Sequence, residues 1–243
     1  MSLNPLAILR GWTRLLTANI LWLYVEFLAA NAAATTLYFL LFPEQALGMA
    51  TGTGPAIGLS LFLNPYTIIA SLIFTAVAAG AVKRLWMRMG HDAAPGPFGA
   101  AWAPILGVSF LVDHLLTVGI LFLLIPGLLL AALTTTLLPA LVIERRGWGA
   151  LSRAFEMGQR SLLVLMFLWA GVLVPWLLIL LGTAPPPAAA SATVTQIWVE
   201  SLLSGLYDPA FAAVSLCLTM TVYAEMQRLE GPGDGGDVSD IFR

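Results

Sequence analysis

Four polar side chains lie within long apolar stretches, where they could transfer protons or hold a polar ligand: Glu26, Asp113, His114 and Thr136. A carboxylate at the centre of a membrane-spanning helix costs about 2.5–3.5 kcal/mol on insertion, so each is a candidate for function. Glu26 lies 12 residues beyond Arg14, which corresponds to a depth of about 18 Å, and Asp113 lies 13 residues into the expected third span, at about the same depth. The two carboxylates could therefore share one intramembrane polar cluster.

Two interpretations of this cluster are open. In the first, it couples protons or receives a polar headgroup that enters from the side of the protein. In the second, it is a structural hydrogen-bonded network in which a protonated Glu26 donates to a backbone carbonyl. The second interpretation is preferred from the sequence, and each carboxylate needs a partner under either one.

Enzymatic and metal chemistry have little support in the sequence. His114 follows Asp113 directly and so lies about 100° around a helix from it, which prevents the two from sharing one face. No zinc spacing, glycine-rich phosphate loop, GxSxG or HExxH motif occurs, and Cys217 is the single cysteine. We therefore expect no cofactor, no metal site, no catalytic residue and no enzyme activity.

A second group of residues with possible chemistry is basic and follows the longest apolar region: Arg145, Arg146, Arg153 and Arg160. Arginine side chains at a membrane surface attract anionic lipid headgroups by about 1 kcal/mol each. The same charges also determine the orientation of neighbouring spans without binding anything. We expect these residues to face headgroups, and topology alone is the alternative.

The composition requires a membrane environment for the elements that carry these residues. Hydrophobic residues make up 59% of the 243-residue chain and charged residues only 10%, whereas soluble domains carry roughly 25% charged residues. The stretches 45–82, 114–143 and 161–199 contain no Lys, Arg, Asp or Glu, and a spanning helix needs about 20 apolar residues. The apolar residues do not alternate with polar ones, so an all-α, polytopic transmembrane helical bundle is predicted rather than a barrel of strands.

Six spans are predicted in one membrane domain over residues 1–229, followed by a flexible acidic tail at 230–243. Amphipathic segments at 4–16, 147–160 and 194–207 are expected to lie on the membrane surface. The spans are expected to pair in sequence as three helical hairpins, at 17–42, 65–82, 100–124, 127–143, 161–181 and 209–224.

Turn and cap signals separate these spans. Pro126-Gly127 interrupts two apolar runs and is expected to reverse the chain, with Gly127 free to adopt a positive φ. Asn64-Pro65 and Asp208-Pro209 have the residue types of an N-cap followed by a first helical position. We expect them to begin the second and sixth spans.

All 11 basic residues fall on one side of this six-span arrangement. Because Lys and Arg accumulate in the cytoplasmic loops of membrane proteins, the sequence predicts that both termini are cytoplasmic. Arg10-Gly11-Trp12 and Arg146-Gly147-Trp148 precede the first and fifth expected spans. Whether they mark an internal repeat of parallel orientation is left open.

The central stretch resembles the membrane domain associated with glycerophosphoryl diester phosphodiesterases and related bacterial six-span proteins. The residues that carry the resemblance are Ile125-Pro126-Gly127, the run Leu138-Pro139-Ala140-Leu141-Val142-Ile143-Glu144, and Gly147, Ala150-Leu151, Ala154-Phe155 and Arg160. Phe155 stands where tryptophan is frequent in that family. The resemblance implies a bacterial cytoplasmic (inner) membrane. In some relatives a soluble phosphodiesterase barrel follows this domain, and we expect no hydrolase activity here because this sequence contains no such barrel. The family has no established catalytic residues in the membrane domain, so the resemblance transfers none.

From these patterns we expect a non-enzymatic integral membrane protein that acts as a scaffold, assembly or lipid-handling factor of the bacterial envelope. The alternative is a small transporter or flippase that uses the intramembrane carboxylates. Membrane lipids are the expected partners, together with a second membrane protein, and nucleic acid is not.

Overall fold

The computed structural model describes residues 3–50, 64–91, 101–122, 124–183 and 194–230. These ranges contain ten α-helices, a 3-10 turn at Gly147–Gly149 and no strand. The helices are α1 (Pro5–Leu41), α2 (Pro43–Ala50), α3 (Pro65–Arg88), α4 (Trp102–Phe122), α5 (Leu124–Thr134), α6 (Leu137–Val142), α7 (Ala150–Gln159), α8 (Leu162–Thr183), α9 (Val194–Ser204) and α10 (Tyr207–Glu230).

Six helical segments in the described part of the chain are long and apolar enough to cross a membrane. They lie in α1, α3, α4, the α5–α6 pair, α8 and α10. Each coincides with one of the six predicted spans, so the prediction of an all-α membrane bundle is confirmed.

The first helix is longer than predicted. We expected a separate surface helix at 4–16 before a span at 17–42, but α1 is continuous for 37 residues, about 55 Å. Asn4 caps it, its side chain accepting from the backbone N–H groups of Leu6 at 3.1 Å and Ala7 at 3.3 Å. No proline follows Pro5 within α1, so nothing in this segment breaks the helix where its character changes from amphipathic to apolar.

The starts of α3 and α10 differ in how closely they follow the predicted caps. Asn64 does cap α3, its side chain accepting from the N–H of Tyr66 at 3.0 Å with Pro65 in the first turn. In contrast, α10 begins at Tyr207, so Asp208 lies inside the first turn instead of at the N-cap. A carboxylate there still interacts favourably with the helix dipole, and Pro209 occupies a position where no N–H is needed.

Both helices also end later than the predicted spans. α3 continues to Arg88 and α10 to Glu230, because charged residues mark the edge of the hydrocarbon region without ending a helix. Glu230 is therefore the last residue of α10 and not the start of a flexible tail. The rest of the predicted tail, 231–243, lies outside the described residues.

Pro126-Gly127 does not form the reversal between the third and fourth spans. Both residues belong to the first turn of α5, which begins at Leu124 directly after α4 ends at Phe122. A proline is tolerated there because the first N–H groups of a helix have no intrahelical partner. Gly127 is buried and has no positive φ. A glycine is needed at this position for close helix packing, because a Cβ there would come within 2.6 Å of Ile120 on α4.

The fourth span is interrupted between α5 and α6 at Thr135 and Thr136. Pro139 explains the break, because it has no N–H for the carbonyl of Thr135 four residues earlier and its ring clashes with that carbonyl. In the turn before the break, the hydroxyl of Thr135 donates to the carbonyl of Ala131 at 2.8 Å.

The packing supports two of the three predicted hairpins. α1 packs on α3 and α4 packs on α5, but in the described chain α8 packs mainly on α5, and α10 mainly along α1.

The two Arg-Gly-Trp segments of the suggested internal repeat differ in conformation. Arg10-Gly11-Trp12 lies inside α1, whereas Arg146-Gly147-Trp148 enters a 3-10 turn in which Gly147 has a φ of 57°.

Candidate functional site

Asp113 lies where two cavities of the bundle meet. It is an exposed residue of α4, and its Oδ2 accepts a hydrogen bond from the Ser71 hydroxyl of α3 at 3.2 Å. The same four residues line both cavities: Phe74, Asp113, Phe211 and Ala212. A ligand moving between the cavities would therefore pass a carboxylate flanked by two aromatic rings.

The first cavity, which we call the outer cavity, lies near the starts of α3 and α10 and has a volume of about 380 Å³. The exposed apolar residues Leu111 and Leu115 of α4 flank Asp113 in sequence. The polar residues that line the outer cavity come from four helices: Asn31, Tyr66, Thr67, Ser71, Asp113, His114, Thr117 and Asp208. Two carboxylates and no Lys or Arg give its lining an acidic character.

The second cavity, which we call the inner cavity, has a volume of about 260 Å³ and a mainly apolar lining, whose polar groups are mostly hydroxyls. Its small polar residues are Thr75, Ser109, Thr134, Thr135, Ser215 and Thr219. The Ser109 and Ser215 hydroxyls are buried and have no hydrogen-bond partner among the described residues. Unpaired buried hydroxyls are costly, and a polar ligand in the inner cavity could satisfy them.

Asn31 and Tyr66 fix the wall of the outer cavity. The Tyr66 hydroxyl donates to the Asn31 side-chain oxygen at 3.3 Å, and the Asn31 amide donates to the carbonyl of Gly205 at 3.2 Å. These bonds join α1, α3 and the segment before α10. Sequence reasoning missed both residues, although an asparagine inside the apolar run of α1 was a usable signal.

Glu26 does not join Asp113. Its Oε2 instead accepts from Arg84 of α3 at 2.5 Å, and both side chains are partly exposed. The neighbouring Phe27 stacks on Phe74, with ring centres 5.6 Å apart. Ser71 precedes Phe74 by about one helical turn and Arg84 follows it by about three, so the two carboxylates bind at different heights along α3.

The other two members of the predicted cluster also differ from expectation. His114 lines the outer cavity with Asp113, and its Nδ1 donates to the carbonyl of Phe110 at 2.8 Å. Thr136 is buried at 1% exposure and its hydroxyl has no hydrogen-bond partner in the described ranges. Of the three consecutive threonines, Thr134 and Thr135 line the inner cavity and Thr136 does not.

The basic residues after α6 lie in a network of carboxylates and not on an open cationic face. Glu144 pairs with Arg146 at 2.5 Å, and Arg160 pairs with Glu230 at 3.0 Å. Arg153 pairs with both carboxylates, and is only 13% exposed. Arg145 has a φ of 53° in the reversal that begins this network.

Arg153 is the centre of this network and is held in its charged state. Burial lowers the pKa of the Arg153 guanidinium. The hydrogen bond to Glu230 and the negative charges of Glu144, Glu230 and Glu156 outweigh that effect and raise this pKa above its usual range. Carboxylates of the protein therefore already pair with Arg146, Arg153 and Arg160, and the headgroup-binding role of these arginines stays a prediction.

Glu144 also joins the network to the last span. Its Oε1 accepts from the Tyr223 hydroxyl at 3.0 Å and from the Gln227 amide at 2.9 Å. Sequence reasoning treated Glu144 only as the end of an apolar run and missed its partners. They lie 79 and 83 residues away in the chain, which no local pattern could reveal.

Comparison with known proteins gives no match to a family model, a curated protein or a solved structure. The resemblance to the phosphodiesterase-associated membrane domain stays a prediction. In the described part of the chain, no three His, Cys, Asp or Glu side chains lie together as a metal site requires.

Proposed function

We propose that this chain is a small transporter or flippase whose ligand carries a positively charged amine group. The observation that carries the proposal is the position of Asp113 at the junction of the outer and inner cavities. An ionisable residue at membrane depth that faces a cavity is typical of a substrate pathway. The role requires binding and passage only, and no covalent step.

The charge of the lining selects the ligand class. Asp113 and Asp208 contribute carboxylates to the outer cavity, whose lining contains no Lys or Arg. Such a lining favours a cation over an anion, and a charge-assisted hydrogen bond to a carboxylate contributes about 1.5–3 kcal/mol. The amine group could belong to a soluble molecule or to a lipid headgroup that enters beside α4.

Two assays on proteoliposomes separate these sources. Charge displacement on addition of ethanolamine reports a soluble cation, and exposure of phosphatidylethanolamine to an impermeant amine reagent reports lipid translocation. We expect activity in one assay and at least a tenfold loss in Asp113→Asn, which keeps the size of the side chain and removes its charge.

Glu26→Gln is the matched control, because it removes an intramembrane carboxylate that lines neither cavity. Its activity should stay within about twofold of the original protein. Inactivity of the original protein in both assays would contradict the proposal, as would full activity of Asp113→Asn. A scaffold or assembly role makes no use of Asp113 and predicts the second of these outcomes.

We further propose that the protein resides in a bacterial cytoplasmic membrane with both termini in the cytoplasm. The accumulation of all 11 basic residues on one side of the six-span arrangement supports this orientation. The end of the bundle that carries Arg88, Arg153 and Arg160, which we call the basic end, would then face the cytoplasm. The outer cavity would open toward the other side.

Cysteine labelling in intact cells tests the orientation. In a Cys217→Ser background, Gly52→Cys and Ala189→Cys should react with an impermeant thiol reagent, because they fall on the side without basic residues. Gln159→Cys, exposed at the basic end, should react only after lysis. Labelling of position 159 in intact cells would reverse the proposed topology.

A further inference from the structure

Two arginines of α3 are held against one tryptophan of α1. The guanidinium carbons of Arg84 and Arg88 lie 5.1 Å and 4.8 Å from the centre of the Trp22 ring. The side-chain oxygen of Asn19 accepts from Arg88 at 2.5 Å and from the Trp22 indole at 2.9 Å. We call these four residues the arginine clamp.

The clamp keeps a positive charge that the protein does not neutralise. Arg84 pairs with Glu26, whereas no carboxylate in the described ranges forms an ion pair with Arg88, whose contacts above are to a neutral amide and an aromatic ring. Two guanidinium groups and one carboxylate leave one net positive charge. By contrast, four other arginines have carboxylate partners: Arg146, Arg153, Arg160 and Arg228.

The clamp lies at the height of a membrane–water boundary. Arg84 is 19 positions after Pro65, the first residue of α3, and that distance is about 29 Å along a helix. The hydrocarbon core of a bilayer is about 30 Å thick. Tryptophan accumulates at this boundary, and arginine can extend its charged group toward it.

Exposed apolar side chains adjoin the clamp on α1. Leu21 and Val25 of α1 are 76% and 54% exposed, and they neighbour Trp22 and Glu26 in sequence. Acyl chains could pack on them while a headgroup contacts the arginines. A soluble anion would gain nothing from these two side chains.

We propose that the arginine clamp binds the phosphate of an anionic phospholipid in the leaflet at the basic end. Planar guanidinium groups match the geometry of phosphate oxygens, and Trp22 fixes their orientation before binding. The remaining positive charge favours an anionic lipid over a zwitterionic one. The proposal does not depend on transport through the cavities of Asp113.

Lipid crosslinking in vesicles tests the site without altering it. The full chain is reconstituted in phosphatidylcholine vesicles that contain a photoreactive phosphatidylglycerol, and crosslinked peptides are identified by mass spectrometry. We expect crosslinks enriched at residues 19–26 of α1 and 84–88 of α3. Competition by unlabelled phosphatidylglycerol should remove them, whereas inorganic phosphate or extra phosphatidylcholine should not.

Arg88→Gln removes the unmatched charge and should reduce these crosslinks about tenfold, which corresponds to about 1.4 kcal/mol. Arg228→Gln is the matched control, because Arg228 forms an ion pair with Glu225 on its own helix. Crosslinks spread evenly over all lipid-facing helices would overturn the proposal, as would displacement by inorganic phosphate. If Arg88→Gln does not fold, the unaltered protein still decides the question. Crosslinks concentrated on another helix would also overturn the proposal, because the lipid would then bind at a site other than the arginine clamp.

Discussion

The Gly127→Ala substitution adds a single methyl group, yet we expect it to reduce the yield of folded protein in detergent severely. The new Cβ would lie 2.6 Å from the backbone nitrogen of Ile120 and 2.7 Å from its Cα. Backbone atoms cannot rotate away, so α4 and α5 must separate. On the facing helix α4, a Cβ at Gly119 would likewise lie only 3.0 Å from the Gly127 Cα. We expect a loss of about 3 kcal/mol, the upper range for overpacked cores.

Gly171→Ala is the matched control for this prediction. Gly171 is an exposed residue of α8, and a Cβ built there meets nothing within 4 Å. The substitution should be neutral or stabilising by up to about 1 kcal/mol, because alanine favours helix more than glycine does. The measurement is the melting temperature in detergent together with the monodisperse fraction on size-exclusion chromatography. Equal values for the two variants would refute the packing role of Gly127.

Glu144→Ala is expected to destabilise the protein at least as strongly. The Glu144 side chain is 13% exposed and interacts with four groups, those of Arg146, Arg153, Tyr223 and Gln227. Removing one member of a buried charged network leaves its partners unpaired, at a cost of about 3–5 kcal/mol. Because these partners lie on the segment after α6, on α7 and on α10, we expect the basic end to unfold before the rest.

Glu156→Ala is the comparison for Glu144. The side chain of Glu156 is 59% exposed and pairs with Arg160 within one turn, and such pairs contribute about 0.3–0.5 kcal/mol. The variants are compared by melting in detergent and by hydrogen exchange of the α7 and α10 backbone amides. Faster exchange in Glu156→Ala than in Glu144→Ala would show that the network is not centred on Glu144.

The six spans could be predicted because their cause is local. A helix that crosses a membrane needs an uninterrupted apolar run, and such runs are visible without any knowledge of neighbours. The cap of α3 is equally local, since Asn64 bonds within three residues of itself. Helix ends were less predictable, because the end of an apolar run marks the hydrocarbon edge and not the helix terminus.

The role of Gly127 illustrates what the sequence could not supply. Pro126-Gly127 has the composition of a turn, and both residues are nonetheless helical. The glycine is required by its contact with Ile120 of another helix. A glycine selected for positive φ and one selected for close packing look the same in a sequence.

The candidate site was predictable in part. The sequence singled out Asp113, which the structure places between the two cavities, but counting residues placed Glu26 beside it. That count took Arg14 as the edge of the membrane before a separate first span, whereas α1 is continuous for 37 residues. Arg84 reaches Glu26 from the end of α3, and long side chains of this kind make depth estimates from sequence unreliable.

The most direct measurement of the central claim is the charge preference at Ala212, which lines both cavities. Ala212→Cys is introduced in a Cys217→Ser background, and its reaction rates with a cationic and an anionic methanethiosulfonate reagent are compared. Each rate is divided by the rate of that reagent with a free thiol. Ala213→Cys is the control, because Ala213 is fully buried and should react with neither.

We expect the cationic reagent to react about tenfold faster than the anionic one at position 212, the effect of about 1.4 kcal/mol of electrostatic preference. Asp113→Asn should reduce this ratio at least threefold, about 0.65 kcal/mol, with Asp208 maintaining the remainder. An unreactive position 212 would contradict the account, and so would a ratio that Asp113→Asn leaves unchanged.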